Sequence, residues 1–268
     1  MYCRYSCLSY VSQTKYSLTK PILIKNIYSD PELYDIAHWW KTNDLEFIAN
    51  AADKFGGLVL ELGAGTGRLA LPILENGHTY TGIESSPAFV KCAKNKLAAF
   101  GEKATVLERD MRTFDLNQQF KFIFIGFNSI FHLMNEKDVL SFFQCVKKHL
   151  TDDGTFLIDT FIPDPLFLYR DKQKYYVMEF DDPDGTPCII SETNEYDNDS
   201  QVNHIQWFFN YEGKDEPKVF KFDMHMIFPD TMDRLLTDAG LVIKRKYGSY
   251  EKAPLGPESQ LQIYECSK

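Results

Sequence analysis

The chain has 268 residues, a formal net charge of -9 at pH 7, and 44% hydrophobic and 25% charged residues. These values are ordinary for a soluble globular protein, and the length is enough for one large domain with a sizeable core. The acidic balance disfavours a broad phosphate-binding surface, so no nucleic-acid partner is expected. Because no apolar run approaches the roughly 20 residues that span a bilayer, no membrane partner is expected either.

The first 27 residues show no clear period and are predicted to be an extension ahead of the domain at 28–268. They lack the continuous apolar segment of a signal peptide. The six cysteines are scattered, and Cys3 and Cys7 have no histidine close by in the sequence, so no metal site is predicted. These features favour a reduced, cytoplasmic protein.

Two helices are predicted before the first strand. Asp30 and Pro31 provide an N-cap and a proline at the first helical position. A second helix is predicted from Asn43-Asp44 to the glycine pair at 56–57. The apolar residues expected on the inner face of the first helix are Leu33, Ile36, Ala37 and Trp40.

Strands and helices then alternate, which predicts a parallel sheet with right-handed crossovers. From residue 161 to about 228 no helical pattern separates the strands, so an antiparallel insertion is expected after the fifth strand. The alternation resumes with a helix at 229–239. The predicted sheet strands are 58–62, 79–83, 104–107, 120–127, 155–160, 241–247 and 260–266, and the predicted insertion strands are 188–196, 201–211 and 218–228.

The glycine-rich turn after the first strand is the most informative stretch. Residues 58–67 read Leu-Val-Leu-Glu-Leu-Gly-Ala-Gly-Thr-Gly, a buried strand followed by Gly63, Gly65 and Gly67. A dinucleotide fingerprint would place the third glycine one residue later, and the G-K-S/T of a P-loop is missing. The G-x-G-x-G form, preceded by Glu61, resembles the class I S-adenosylmethionine-dependent methyltransferases.

Acidic residues follow the next two strands. Glu84 ends the second strand, where a carboxylate can accept hydrogen bonds from both ribose hydroxyls of an adenosine group. Asp110 and Met111 follow the third strand. A carboxylate there can accept from the exocyclic amine of adenine, and a methionine can pack on the ring.

The segment 127–133, Phe-Asn-Ser-Ile-Phe-His-Leu, closes the fourth strand at the edge where open α/β sheets bind ligands. Together with Asp110-Met111-Arg112 it resembles small-molecule methyltransferases, including the glycine and aminosugar N-methyltransferases. The resemblance implies a seven-stranded, mostly parallel Rossmann-like methyltransferase sheet with helices on both faces. It also implies S-adenosyl-L-methionine as cofactor. The roles implied are Gly63, Ala64 and Gly65 at the methionine moiety, Glu84 and Ser85 at the ribose, Asp110 and Met111 at the adenine, main-chain contacts from Phe127, and Tyr34 or Tyr28 as a cover.

His132 is the candidate base, because an unperturbed imidazole titrates near working pH. The alternative is that His132 only hydrogen-bonds a backbone group and shapes the pocket. Asp159, at the end of the fifth strand, could steer a cationic amine or simply cap the following turn. His204, Trp207 and His225 lack metal-ligand spacing and are expected to lie on a sheet face or in a pocket wall.

The predicted function is methyl transfer to a small-molecule acceptor, with an amine nitrogen preferred over oxygen. The insertion and the N-terminal helices are expected to form the acceptor pocket. A monomer and a homodimer are both compatible with the sequence. Two alternatives are a transferase of the same fold that moves another group, such as aminopropyl, and a regulatory protein that binds the cofactor without catalysis.

Overall fold

The strands at the middle of the large sheet are apolar on both faces, and helices pack against each face. The computed structural model describes residues 26–268; the predicted extension up to residue 25, with Cys3 and Cys7, lies outside the described residues. Ile27 is already buried, so packed structure begins before residue 28. The helices are α1 Pro31–Ala37, α2 Leu45–Phe55, α3 Ala70–Glu75, α4 Pro87–Leu97, α5 Glu136–His149, α6 Pro165–Leu168 and α7 Pro229–Asp238.

Seven strands form the large sheet: β1 Leu58–Leu62, β2 Thr79–Glu84, β3 Ala104–Glu108, β4 Phe120–Ile125, β5 Leu150–Phe161, β10 Val242–Tyr247 and β11 Leu261–Ser267. Their spatial order is β10-β11-β5-β4-β1-β2-β3. β11 runs antiparallel to both of its neighbours, and the remaining strand pairs are parallel. This confirms the predicted mostly parallel Rossmann-like sheet.

Side-chain alternation along the central strands builds two cores, one on each face of the sheet. In β4, Phe122 and Phe124 pack with α2, α3 and α4, whereas Ile123 and Ile125 pack with α5 and α7. Successive strand residues point to opposite faces, so a strand buried on both sides is apolar at nearly every position; Glu61 in β1 is a buried exception. Helices on both faces leave the carboxyl edge of the parallel strands as the open side.

The insertion after β5 is a second, four-stranded antiparallel sheet. Its strands are β6 Tyr175–Asp181, β7 Pro187–Asp197, β8 Val202–Tyr211 and β9 Lys218–His225, and they pair in that order. The sequence pattern predicted β7, β8 and β9 but missed β6, as well as the single turn of α6. β6 is an edge strand with only Phe180 buried, and so it lacks the regular apolar alternation of its neighbours.

Two expectations about local structure were wrong. α1 ends at Ala37, so Trp40 lies beyond the helix and is 46% exposed instead of facing the core. β4 ends at Ile125 rather than at Phe127, because Phe127 and Asn128 adopt left-handed backbone angles with φ of 49° and 66°. This sharp turn leads the chain out of the sheet at its open edge. Within residues 26–268, every helix is too short or too polar to cross a bilayer.

Candidate active site

The glycine turn and Glu84 are joined directly by a hydrogen bond. The Gly65 N–H donates to Glu84 Oε2 at 2.9 Å. Gly63 has a φ of +75°, and a Cβ there would lie 2.8 Å from the Cβ of Ser129. Gly65 has a φ of +56°, but nothing lies within 4 Å of the position of an added Cβ. The backbone is therefore packed against Ser129 at Gly63, whereas at Gly65 there is free space beside it. A ligand can approach the bare main chain at Gly65.

The second oxygen of Glu84 fixes the start of α4. Glu84 Oε1 accepts from the Ser86 N–H at 2.8 Å. The Ser86 hydroxyl caps the helix at Phe89 and donates to the Tyr28 carbonyl oxygen at 2.7 Å. Each carboxylate oxygen thus has one backbone donor. Oε2 has a further lone pair for a ligand hydroxyl, whereas Oε1 also lies 3.5 Å from the Ser85 hydroxyl, which a ligand hydroxyl at this oxygen would displace.

One cavity of about 1210 Å³ opens at this edge of the sheet. It is bounded by the glycine turn, by residues 26–42, by the turn after β4 and by the antiparallel insertion. The sequence-predicted residues that line it are Tyr28, Tyr34, Gly63, Ala64, Gly65, Glu84, Ser85, Met111, Phe127 and His132. The structure therefore brings all of the predicted site residues to one cavity except Asp110.

Asp110 is held by its neighbour instead of facing the cavity. Its carboxylate accepts from Arg112 Nη2 at 2.6 Å and from Arg112 Nε at 3.0 Å. Arg112 also reaches Asp138 at the start of α5, at 2.9 Å. These hydrogen bonds hold the pKa of Asp110 below its ordinary value. The predicted role of Asp110 at an adenine amine would require this carboxylate to share its oxygens with Arg112.

Phe127 is fixed by a buried polar chain behind the cavity. Its N–H donates to Asp159 Oδ2 at 3.4 Å, and the Tyr250 hydroxyl donates to the same oxygen at 2.9 Å. Lys41 Nζ donates to the Tyr250 hydroxyl at 2.8 Å. Asp159 is 1% exposed, and burial raises its pKa. The sequence offered two roles for Asp159, to steer a cationic amine or to cap the turn that follows the fifth strand. The observed contacts are different, because they hold the turn after β4.

Arg68 forms an ion pair that the sequence did not reveal. Its guanidinium donates to both carboxylate oxygens of Asp44, at 2.6 and 2.8 Å, and to the Lys41 carbonyl oxygen at 2.9 Å. The sequence predicted Asp44 as a helix start, but its side chain makes no capping hydrogen bond and is fully buried. This pair ties the residues before α2 to the end of the glycine turn, and Arg68 also lines the cavity.

Both ring nitrogens of His132 have protein partners. Nδ1 lies 3.2 Å from the Asp223 carbonyl oxygen, which can only accept, so Nδ1 carries the proton. Nε2 then accepts from the Tyr28 hydroxyl at 2.7 Å. Burial lowers the pKa of His132 and raises that of Tyr28. The contact with the Asp223 carbonyl is the kind that the second predicted role describes, in which His132 binds backbone and shapes the pocket; the role of His132 as base stays a prediction.

The antiparallel insertion supplies the wall opposite the glycine turn. The Trp207 indole N–H donates to Glu192 Oε2 at 2.6 Å, and Arg170 donates to the other oxygen of Glu192. Burial raises the pKa of Glu192. The expectation of a sheet-face or pocket-wall position for Trp207 is confirmed, whereas Glu192 was missed because a lone glutamate in a strand carries no signal. The other cavity residues of this wall are Val177, Met178, Ile205, Lys221, Phe222, Asp223 and Met224.

His38 was also missed by sequence reasoning. It follows α1, is 9% exposed and lines the cavity. Its ring lies 4.1 Å from that of Tyr34 and 5.6 Å from that of Trp207, measured between centroids. Burial lowers the pKa of His38 to about 4, so the imidazole is neutral at physiological pH. A single histidine before two tryptophans has no distinguishing spacing in the sequence.

Comparison with known proteins matches this arrangement to methyltransferases. A family described as "Methyltransferase domain" matches residues 59–154, from the first strand to the start of the fifth. A Bacillus subtilis (strain 168) protein with the methyltransferase name YqeM is 22% identical over 214 residues, which cover 79% of this chain and 84% of that protein.

Solved structures show the same fold over nearly the whole chain. The CcbJ methyltransferase from Streptomyces caelestis superimposes with a TM-score of 0.76 at 20% identity, over 90% of this chain and 98% of that one. The sugar N-methyltransferase KedS8 from Streptoalloteichus sp. superimposes with a TM-score of 0.68 at 17% identity, over 96% and 98%. At this identity the likeness is one of fold.

Proposed function

Because this chain is an S-adenosylmethionine-dependent methyltransferase with a class I fold, we propose that it methylates a small-molecule acceptor, with an amine nitrogen preferred over oxygen. The observation that carries this proposal is the shared cavity. The glycine turn and the insertion wall face the same 1210 Å³, so a cofactor and a small second molecule can meet there. The fold likeness to a sugar N-methyltransferase supports the same class of acceptor.

The cofactor half of the cavity comprises the glycine turn, Glu84, Ser85 and Met111. S-adenosyl-L-methionine fits it, since Gly65 leaves the main chain open to a ligand and Glu84 can accept from both ribose hydroxyls, one of which displaces the Ser85 hydroxyl. We assign Gly63, Ala64 and Gly65 to the methionine moiety and Met111 to the adenine, with Tyr34 or Tyr28 as the cover and Asp110 in a shared role with Arg112.

The acceptor half comprises His38, Trp207, Glu192 and Phe222. Apolar rings around a few polar groups exclude water and fix the orientation of a small molecule. Methyl transfer is a displacement at an already activated carbon, so alignment of the nucleophile in a dry site can supply much of the rate. Phe127 lies between the two halves, and its main chain is held by Asp159.

Two measurements, made one after the other, test the proposal. Calorimetry with S-adenosylhomocysteine is expected to show binding at micromolar concentration, and an absence of binding would contradict every role assigned to the cofactor half. Radiolabelled methyl transfer is then measured on matched amine and hydroxyl pairs: D-glucosamine with D-glucose, ethanolamine with ethylene glycol, and glycine with glycolate. We expect transfer to amines, and transfer confined to the hydroxyl partners would contradict the nitrogen preference.

A further inference from the structure

The two histidines that line the cavity differ in what their rings can offer to a ligand. His132 has a protein partner on each nitrogen. His38 Nδ1 lies 2.7 Å from the Tyr34 carbonyl oxygen, which can only accept, so Nδ1 carries the proton and Nε2 carries the lone pair. Within residues 26–268, Nε2 has no hydrogen-bond partner. His38 therefore presents a fixed, open acceptor to the cavity.

His38 stands where the two halves of the cavity meet. Its ring centroid lies 4.1 Å from that of Tyr34, 5.4 Å from that of Phe127 and 5.6 Å from that of Trp207. Tyr34 is a proposed cofactor cover, Phe127 follows β4 and Trp207 belongs to the insertion. Three rings around one imidazole hold its orientation, so the lone pair of Nε2 has a defined direction.

We infer that His38 receives the acceptor nitrogen: Nε2 accepts a hydrogen bond from the N–H of an uncharged primary or secondary amine and so orients the lone pair of that nitrogen for methyl transfer. This inference rests on the proposed function and deepens it. It names the residue that selects an amine, and it states which form of the amine is bound.

The chemistry of methyl transfer explains why a hydrogen-bond acceptor such as His38 Nε2 favours an amine as the methyl acceptor. The bound cofactor supplies an electrophilic methyl group, so that a nitrogen–carbon bond forms as the carbon–sulfur bond breaks and the electron pair stays on sulfur. Positive charge develops on the nitrogen, which makes its N–H a stronger donor to His38 Nε2 as the reaction proceeds. The proton stays on the methylated ammonium product and is lost to solvent after release.

Burial, more than any neighbouring charge, keeps the His38 ring neutral. Burial lowers the pKa of His38, Arg68 lowers it further, and the Tyr34 carbonyl and Asp35 oppose the shift. On the insertion side, the paired Glu192 lies behind Trp207. A hydroxyl acceptor must lose a proton to become a good nucleophile, and so weakly basic an imidazole is a poor group to take it. An uncharged amine already has its lone pair and needs only to be oriented.

Variants at His38 test this in the full chain. His38→Leu removes the acceptor and His38→Gln restores a side-chain carbonyl oxygen at a similar reach. For the amine that wild type methylates in the panel above, we expect His38→Leu to lower kcat/KM about 30-fold and His38→Gln about fivefold. The control His78→Gln, at an ion pair with Asp53 away from the cavity, is expected to match wild type.

Two readouts besides turnover complete the test. S-adenosylhomocysteine affinity is expected to stay within about twofold in both variants, because His38 lies outside the proposed nucleoside contacts. Nitrogen-15 NMR of ring-labelled histidine in that complex is expected to show Nδ1 protonated and Nε2 unprotonated at pH 7. A protonated Nε2, or amine turnover that is equal in wild type and His38→Leu, would overturn the inference alone. Transfer confined to hydroxyls would overturn the proposed function first.

Discussion

The cofactor half and the acceptor half of the cavity are built from different kinds of contact. In the cofactor half, Gly65 and Glu84 are 19 residues apart and belong to the ends of adjacent parallel strands. In the acceptor half, His38 and Trp207 meet across 169 positions of the chain, from a helix end and an antiparallel sheet. The first half depends on strand order alone, whereas the second depends on how the insertion packs over the sheet.

This difference separates the effects of mutation. Substitutions in the cofactor half should change cofactor affinity, and those in the acceptor half should change turnover on the acceptor while cofactor affinity stays constant. Because the two halves share one cavity, a failure of this separation would show that the division is wrong.

The largest effect is expected where the cofactor half is anchored to the N-terminal helices. Asp44→Ala leaves Arg68 and Lys41 without their buried carboxylate and should lower the free energy of unfolding by about 3–5 kcal/mol. Urea denaturation measures it. Asp53→Ala, at an exposed ion pair on the same helix, is the control and should change stability little. Equal effects at the two positions would show that the buried pair is not an anchor.

Glu84→Ala should weaken S-adenosylhomocysteine binding by about 1–3 kcal/mol, because it removes charge-assisted hydrogen bonds to the ribose and loosens the turn at Gly65. Glu108→Ala is the matched control, since Glu108 pairs with Glu84 in the register of β2 and β3 but is exposed. Calorimetry on both variants measures the difference. Unchanged affinity in Glu84→Ala would place the ribose elsewhere.

In the acceptor half, Trp207→Phe keeps a ring but removes the indole N–H that Glu192 accepts. We expect kcat/KM for the amine acceptor to fall about tenfold, or about 1.4 kcal/mol, with cofactor affinity unchanged. Phe208→Leu is the control, because Phe208 follows Trp207 in β8, points to the other face of the strand and does not line the cavity. A parallel loss of cofactor affinity in Trp207→Phe would break the separation of the halves.

The smallest effect concerns Glu61, the residue before the last one of β1. Burial raises the pKa of Glu61 to about 8, above the ordinary value of 4.5, with Arg68 opposing the shift and Glu84 adding to it. A raised pKa gives stability that is present at low pH and lost as pH rises through about 8. The contribution of Glu61 to the free energy of unfolding should fall by about 1 kcal/mol between pH 6.8 and 7.8.

Glu61→Gln should flatten that dependence, because the amide cannot ionise. The measured quantity is the difference between the two unfolding free energies in each protein. Burial lowers the pKa of His38, His132 and His225, and their effect on stability is common to wild type and Glu61→Gln, so it cancels in the comparison. A slope that is the same in wild type and Glu61→Gln would show that Glu61 is ionised in the folded protein.

Sequence alone predicted the large sheet and the cofactor half for a physical reason. Parallel strands that are buried on both faces are apolar at nearly every position, and their carboxyl ends meet at one edge, so Gly63, Glu84 and Met111 come together from strand order. The edge strand β6 escaped prediction because one buried residue gives no alternation.

The residues of the acceptor half could not be predicted from sequence for a different reason. His38 and Glu192 act through contacts between distant segments, and neither lies in a spaced motif. Asp110 shows the converse: its position after the third strand was as predicted, but Arg112, two residues on, takes its carboxylate. The position of a residue along a strand can be predicted from sequence, whereas the hydrogen-bond partner of its side chain depends on packing.

A crystal structure with S-adenosylhomocysteine tests the division of the cavity most directly. We expect the ribose hydroxyls within hydrogen-bond distance of Glu84, and the sulfur turned toward the side of the cavity that His38 and Trp207 form. A nucleoside packed on Trp207, with no ligand contact to Glu84, would contradict it.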